Sequence, residues 1–231
     1  MNKQPNPNYV IKLDGVKLNP SKNVRYLGVL LDNELKWSTH VAQLKMKLNR
    51  AIGILSKLRY NLPLATLKMV YHSIFSSHIL YGIQVWSQNS QTIKTKIQSL
   101  QDRAIRKITF SSTNCNQDDL YKNLKILKFQ DLIYAQNCIF MSRVEEGRLP
   151  TSFSQQFSHR RDVHQYNTRA SSSNLINIPN VRTNFFGTLS TTYKCISDWN
   201  NFLSKYSKQL PENLQSSQIR KFISPLFLEK Y

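Results

Sequence analysis

Acidic residues are scarce in this chain. Its 231 residues hold 13 Asp and Glu against 32 Lys and Arg, a formal net charge of +19. An excess of that size points to a polyanionic partner, nucleic acid first. A membrane is the rival, but no apolar run approaches the ~20 residues of a spanning helix. Met1 to Pro7 is polar with no apolar stretch after it, so no signal peptide is read and no membrane partner is expected. A nuclear or cytoplasmic protein is expected, not a secreted one. Three cysteines, Cys115, Cys138 and Cys195, are too few and too scattered for a disulfide framework or a Cys-rich zinc site. Six glycines leave little room for a phosphate-cradling loop. G-x-S-x-G and a catalytic Cys–His setting are also missing.

What remains is a chain able to fold. It is 40% hydrophobic and 11% aromatic, which excludes compositional disorder. The basic residues are spread evenly: 11 basic and 3 acidic in residues 1–60, 11 and 6 in 61–148, 10 and 4 in 149–231. An even spread suits a folded surface or groove that follows a phosphate backbone.

Residues 1–8 are polar and Pro-rich. Residues 9–32 read as two or three short strands. Tyr9 to Leu18 holds two apolar runs around Asp14-Gly15, a strong hairpin signal. Val24 to Leu31 reads as one buried strand, its backbone closely approached at Gly28. Val41, Leu44, Leu48, Ala51, Ile52, Leu55 and Leu58 form one helical stripe over 41–58, with Ser38 or Thr39 as cap. Asn61-Leu62-Pro63 ends that helix and starts another. Leu64 to Leu80, apolar nearly all round, predicts the most buried helix of a bundle. Helices follow over 93–108, 120–127 and 130–146, the last stopped by Gly147 and Pro150. Short loops between them favour antiparallel packing. From about residue 148 the texture turns to Ser, Asn, Gln and Thr, with Ser171 to Ser173 an exposed turn. Helical pattern returns over 188–206 and 214–231, the latter interrupted at Pro225.

Several groups could carry chemistry. Lys45, Lys47, Arg50, Lys57 and Arg59 occupy the polar faces of one helix, and Arg103, Arg106 and Lys107 those of another. With few acidic partners they could line a groove for RNA or an RNA–DNA hybrid, through phosphates and without sequence reading. A solvated face is the bland alternative. His159-Arg160-Arg161 and His164 to Arg169 mix rings and guanidinium groups, which suits stacking on single-stranded RNA. The bland alternative is a loop pinned to the bundle by Tyr166 and Arg169. Zinc on His159 and His164 lacks further ligands at suitable spacing. Trp37, Trp86 and Trp199 are expected as core anchors. Asp118-Asp119 has no apolar strand before it and reads as a helix start, not a metal site.

Taken together, Asp14-Gly15, Tyr26-Leu27-Gly28-Val29, Leu31-Asp32, Leu35, Trp37 and His40 resemble the "DG…YLGV.LD..L.W..H" segment of jockey-like LINE (non-LTR retrotransposon) reverse transcriptases. That segment closes the palm and leads into the thumb. Ile52 to Arg59 resembles the first thumb helix of the family. Tyr71, Ser77, Leu80-Tyr81-Gly82 and Trp86 resemble its "Y.S...S.L.YG...W" run, and Leu100 to Arg106 its "LQ" helix. His164 to Arg169 resembles "H.Y.TR", and Trp199-Asn200 the closing "WN" pair. The pieces follow the family's order across most of the chain.

The resemblance implies three regions: 1–35 as an end-of-palm β element like the primer grip, 36–148 as a thumb-like helical bundle, and 149–231 as a C-terminal segment. It implies that Tyr26 and Gly28 could contact primer sugar or phosphate. It also implies RNA-directed DNA synthesis for the whole polymerase. The palm carboxylates that bind two metal ions should lie before residue 1, so Mg²⁺ or Mn²⁺ would belong to the palm. No cofactor and no polymerisation are expected of this chain alone. The upstream palm and fingers are expected partners. The fold expected is mainly α: an antiparallel helical bundle with a small N-terminal antiparallel β hairpin or sheet and an irregular C-terminal region. A helical protein-binding scaffold and a nonfunctional element remnant are the alternatives. A decayed copy, a partial gene product and an adopted host protein are equally open origins.

Overall fold

The computed structural model describes residues 10–88, 91–163, 175–210 and 215–231. The first hairpin pairs β1 (Lys12–Leu13) with β2 (Val16–Lys17) across Asp14-Gly15, both at positive φ, as the Asp-Gly signal predicts.

The next segment departs from expectation. Val24 to Leu31 is not one buried strand. It is a second hairpin, β3 (Asn23–Tyr26) against β4 (Val29–Asp32), with Tyr26 opposite Val29. Leu27 and Gly28 turn it, at φ 46° and 82°. Two successive left-handed residues match the twist of paired strands, and Gly28 supplies one without steric cost. β3 is exposed throughout and β4 half-buried. A side chain, not a backbone, approaches Gly28: the Tyr81 ring, 3.5 Å from where a Cβ would sit.

Helix α1 (Ser38–Leu58) buries the predicted stripe from Val41 to Leu55, with Leu58 half-buried, but neither Ser38 nor Thr39 caps it. The carboxylate of Asp32 does that work from a distance. It accepts from the backbone N–H of Lys36 at 2.8 Å and Trp37 at 2.7 Å, fixing the chain as it leaves β4 and enters the helix. The next helix runs as α2 (Leu64–Tyr71), a π-helical turn over His72–Ser76, and α3 (Ser77–Leu80). Leu67, Tyr71, Phe75 and Ile79 are buried, while Leu64 and Met69 are exposed. It is therefore one-sided and not buried all round.

A short α4 (Ile83–Trp86) leads to α5 (Gln91–Thr109), α6 (Gln117–Leu124) and α7 (Phe129–Glu145). Asn116 caps α6 by accepting from the Asp118 N–H, with Asp118 and Asp119 in its first turn. The pair is a helix start, as read. α8 (Thr151–Ser154) and α9 (Arg160–Val163) are single turns within irregular chain. α10 (Thr191–Tyr206) and α11 (Ser216–Leu228) pack on α7, which also meets α4 and α5. Pro225 does not break α11. It lies near the end, where only one carbonyl loses its partner.

One apolar core runs from Val41 through Trp86 and Phe129 to Ile223. Trp86 is fully buried, stacked on Phe129 at 5.8 Å, and its Nε1 donates to the Tyr81 carbonyl. Trp199 is buried and Trp37 half-buried against the same core. Asn200 clamps the irregular segment: its amide donates to the Ile176 carbonyl at 2.8 Å and accepts from the Ile176 N–H at 3.0 Å. The architecture is the mainly helical bundle expected, with small antiparallel β pairs at its N-terminal end.

Candidate nucleic-acid interface

Helix α1 contains no Asp or Glu at all, and α5 contains one, Asp102. That carboxylate is engaged on the far flank of α5. It accepts from the Tyr121 hydroxyl at 2.7 Å and from Gln98 Nε2 at 2.8 Å. The two helices pack on one another, and their C-terminal ends meet where Arg59 Nη1 donates to the Lys107 carbonyl. Lys47, Arg50, Lys57, Arg103 and Lys107 are exposed, and Lys45 is half-buried beside the core stripe. Lys96, Arg103 and Lys107 lie seven and four residues apart, on one side of α5. Among the described residues none of these cations forms an ion pair.

Two of the predicted phosphate contacts are occupied within the molecule. Besides the Lys107 carbonyl, Arg59 donates to the Tyr60 hydroxyl at 2.9 Å and lies over the Tyr60 and Phe110 rings at 4.8 and 4.3 Å. It closes the C-terminal end of α5, where a cation meets orphan carbonyls. Arg106 Nη1 donates to Gln117 Oε1 at 2.7 Å, tying α5 to the start of α6.

A cleft of 290 Å³ lies between the second hairpin, α1 and α3, lined by Arg25, Gly28, His40, Gln43, Leu44, Lys47, Ser77, His78 and Tyr81. No carboxylate lines it. His40 Nδ1 accepts from the Leu30 N–H, and its ring lies 5.7 Å from Trp86. Burial and the nearby Lys47 hold both His40 and His78 below the ordinary imidazole pKa. The Tyr81 hydroxyl donates to the Leu27 carbonyl and fastens the hairpin turn to the bundle. An entering phosphate would meet two permanent cations, and its charge would favour protonation of both imidazoles. Tyr26, at the end of β3, is 64% exposed.

Sequence reasoning missed Arg25, His40 and His78 as a group, because no spacing links a hairpin arginine to histidines on two helices. His164 and Arg169 lie outside the described residues, as do Tyr166 and Ser171 to Ser173. Upstream of them, His159 pairs with Glu145 at 3.4 Å and bridges to Ile176, so the chain at His159 is pinned to the bundle. Among the described residues no group of three or more His, Cys, Asp or Glu could hold a metal ion, and no helix is long and apolar enough to cross a membrane.

A basic helical bundle carrying a docked β hairpin is thus the class of protein on view. Sequence comparison places it among its relatives. The chain is 28% identical over 148 residues to the probable RNA-directed DNA polymerase from transposon X-element of Drosophila melanogaster, covering 62% of this chain and 16% of that one. It is 27% identical over 124 residues to the RNA-directed DNA polymerase from mobile element jockey of the same fly, covering 52% and 14%. To the probable RNA-directed DNA polymerase from transposon BS it is 28% identical over 140 residues, covering 58% and 15%. No family model and no solved structure matches. The resemblance to jockey-like non-LTR retrotransposon reverse transcriptases is borne out by these matches, which span about one sixth or less of those polymerases.

Proposed function

We propose that this chain is the non-catalytic, nucleic-acid-holding C-terminal part of a non-LTR retrotransposon RNA-directed DNA polymerase, closing the palm and forming the thumb. It grips RNA or an RNA–DNA template–primer through the basic faces of α1 and α5, with the second hairpin at the primer. The observation that carries this reading is the near absence of carboxylates on two packed helices that hold exposed Lys and Arg. Uncompensated charge on rigid elements gives affinity for phosphates without reading bases. The cleft beside Gly28 adds Arg25, Lys47 and two imidazoles where the hairpin meets the bundle.

The upstream palm and fingers are the proposed protein partner. Leu13, Val16, Val24 and Leu27 of the two hairpins are exposed, and a bare strand edge with apolar neighbours invites association. Coexpression with an upstream palm should raise the solubility of the chain. Equal solubility with and without it would count against this placement.

The test of the main reading is binding to a fluorescent RNA–DNA hybrid across salt. If ~6 phosphates are contacted, affinity should fall about 10³-fold between about 50 and 200 mM salt. Changing Lys45, Arg50 and Arg103 to Glu should abolish it. Salt-indifferent association with a protein ligand would favour a scaffold instead.

A further inference from the structure

A second cleft, of 370 Å³, opens between the first turn of α5 and helices α7, α10 and α11. That size falls in the range of small-ligand pockets. Its lining combines three chemistries. Four lysines line it: Lys94, Lys194, Lys205 and Lys230. None forms an ion pair among the described residues. Two of them are held in place over aromatic rings, Lys205 at 5.3 Å from Tyr206 and Lys230 at 4.3 Å from Phe227. The amides of Gln91 and Gln130 supply donors and acceptors, while the buried Gln88 spends its Nε2 on Asn137 Oδ1 at 3.0 Å.

Two carboxylates are also present, each hydrogen-bonded to a neighbour while its charge also acts on the lysines, Asp198 on Lys94 and Lys194 and Asp131 on Lys230. Asp198 accepts from Asn137 Nδ2 at 2.7 Å, and Asp131 accepts from the Tyr231 hydroxyl. Burial raises the pKa of both. Lys94 is pushed the opposite way, below the ordinary lysine value, by burial and then by the charge of Lys194, partly offset by Asp198. Two ammonium groups therefore crowd a partly desolvated cleft, an arrangement that an added anion would relieve.

We propose that this cleft binds one unstacked nucleoside phosphate, its phosphate on Lys94 and Lys194 and its base taking the place of the Lys205 and Lys230 ammonium groups over Tyr206 and Phe227. Aromatic faces accept any base, cations take the phosphate, and amides meet the base edge. An inorganic anion would leave Lys205 and Lys230 over their rings. This site shares no residue with the α1–α5 face or the hairpin cleft, so it stands or falls apart from the template–primer reading.

The test uses the full chain and a labelled uridine decamer, an abasic decamer of equal charge, UMP and poly-glutamate as competitors, and the RNA–DNA hybrid. The uridine strand should bind at least about tenfold more tightly than the abasic strand, the effect of one base stacked on a ring. Lys94→Gln with Lys194→Gln should weaken the uridine strand by a similar factor and leave hybrid binding unchanged. Displacement by UMP at concentrations matching the strand would assign the cleft to free nucleotides, and displacement only at far higher concentrations to a strand. Equal binding of the abasic decamer, equal displacement by poly-glutamate, or indifference to the two substitutions would overturn the proposal. Should the double variant not fold, protection of Lys94 and Lys194 from acetylation by the uridine strand in the unaltered protein decides: protection supports the site, and none refutes it.

Discussion

Arg59 and Arg103 look interchangeable as basic residues on helices, and the structure gives them opposite roles. Arg59 holds the Lys107 carbonyl and the Tyr60 hydroxyl and lies over two rings. Arg103 is exposed and forms no ion pair among the described residues. Replacing Arg59 by Ala removes a cation from the end of α5, an effect of about 0.3–1 kcal/mol. It also removes two exposed cation–π contacts of about 0.5–1 kcal/mol each. These overlap, so a loss of about 1–2 kcal/mol is expected, or about 2–8 °C in Tm for a chain of this size. Arg103→Glu should leave Tm nearly unchanged, as exposed substitutions do. On an RNA–DNA hybrid the order reverses. The slope of log affinity against log salt should shrink by about 0.9 for each phosphate that is no longer neutralised. Arg103→Glu should show that shallower slope and Arg59→Ala should not. Thermal melts and salt titrations on the same two variants check both halves. A shallower slope for Arg59→Ala with an unchanged Tm would refute the assignment.

Three further outcomes follow from the geometry. His40 is held below its ordinary pKa of 6.5, so its contribution to hairpin docking is complete above pH 6.5 and lost as pH falls through the folded value; exchange protection of the Leu30 amide should begin to drop as pH falls below 6.5, and protection that stays constant down to the acid unfolding of the chain would contradict the Leu30–His40 bond. Tyr121→Phe strips a partner from both Asp102 and Gln98 and should cost about 1–3 kcal/mol, read as a lower urea midpoint. Gly28→Val places a β-branched residue at φ 82° and should cost about 1–3 kcal/mol in the hairpin, seen as early proteolysis near residue 28.

The helices were legible because burial of one face imposes its period on the sequence. Val41 to Leu55 and Ile97 to Ile108 are buried where the spacing put them. The second hairpin was not legible, because its turn, Leu27-Gly28, falls inside a run with no polar residue between Tyr26 and Leu31. Leu27 at φ 46° carries no turn signal, whereas Asp14-Gly15 announces the first hairpin. The cap of α1 was missed for a related reason. A cap is sought at the residue before the helix, and here Asp32 reaches the Trp37 N–H across five positions. Which arginines are free was illegible too. Arg59 and Arg106 differ from Arg103 only through Tyr60, Phe110 and Gln117, and nothing in the pattern marks those as partners.

The motifs that carry the family resemblance converge on one place. Gly28 turns the second hairpin, Asp32 caps α1, and His40 and Tyr81 bond the hairpin backbone. Trp86 receives the packing, in contact with His40 and bonded to Tyr81. Each of these residues is accounted for by holding a short hairpin against a helical bundle. The residues free to meet a ligand at that junction, Arg25, Lys47 and His78, lie outside the motifs. A pattern search therefore finds the joint and passes over the surface it positions. On this view, weakening the joint and weakening the surface are separable. Tyr81→Phe loosens the hairpin without touching a cation, and Lys47→Gln removes a cation without loosening the hairpin. If the hairpin serves the primer only by its placement, both substitutions should weaken hybrid binding. Only the second should lower the salt slope. A lower slope in Tyr81→Phe as well would mean that Arg25 acts only while the hairpin is docked, making the joint itself part of the electrostatic surface.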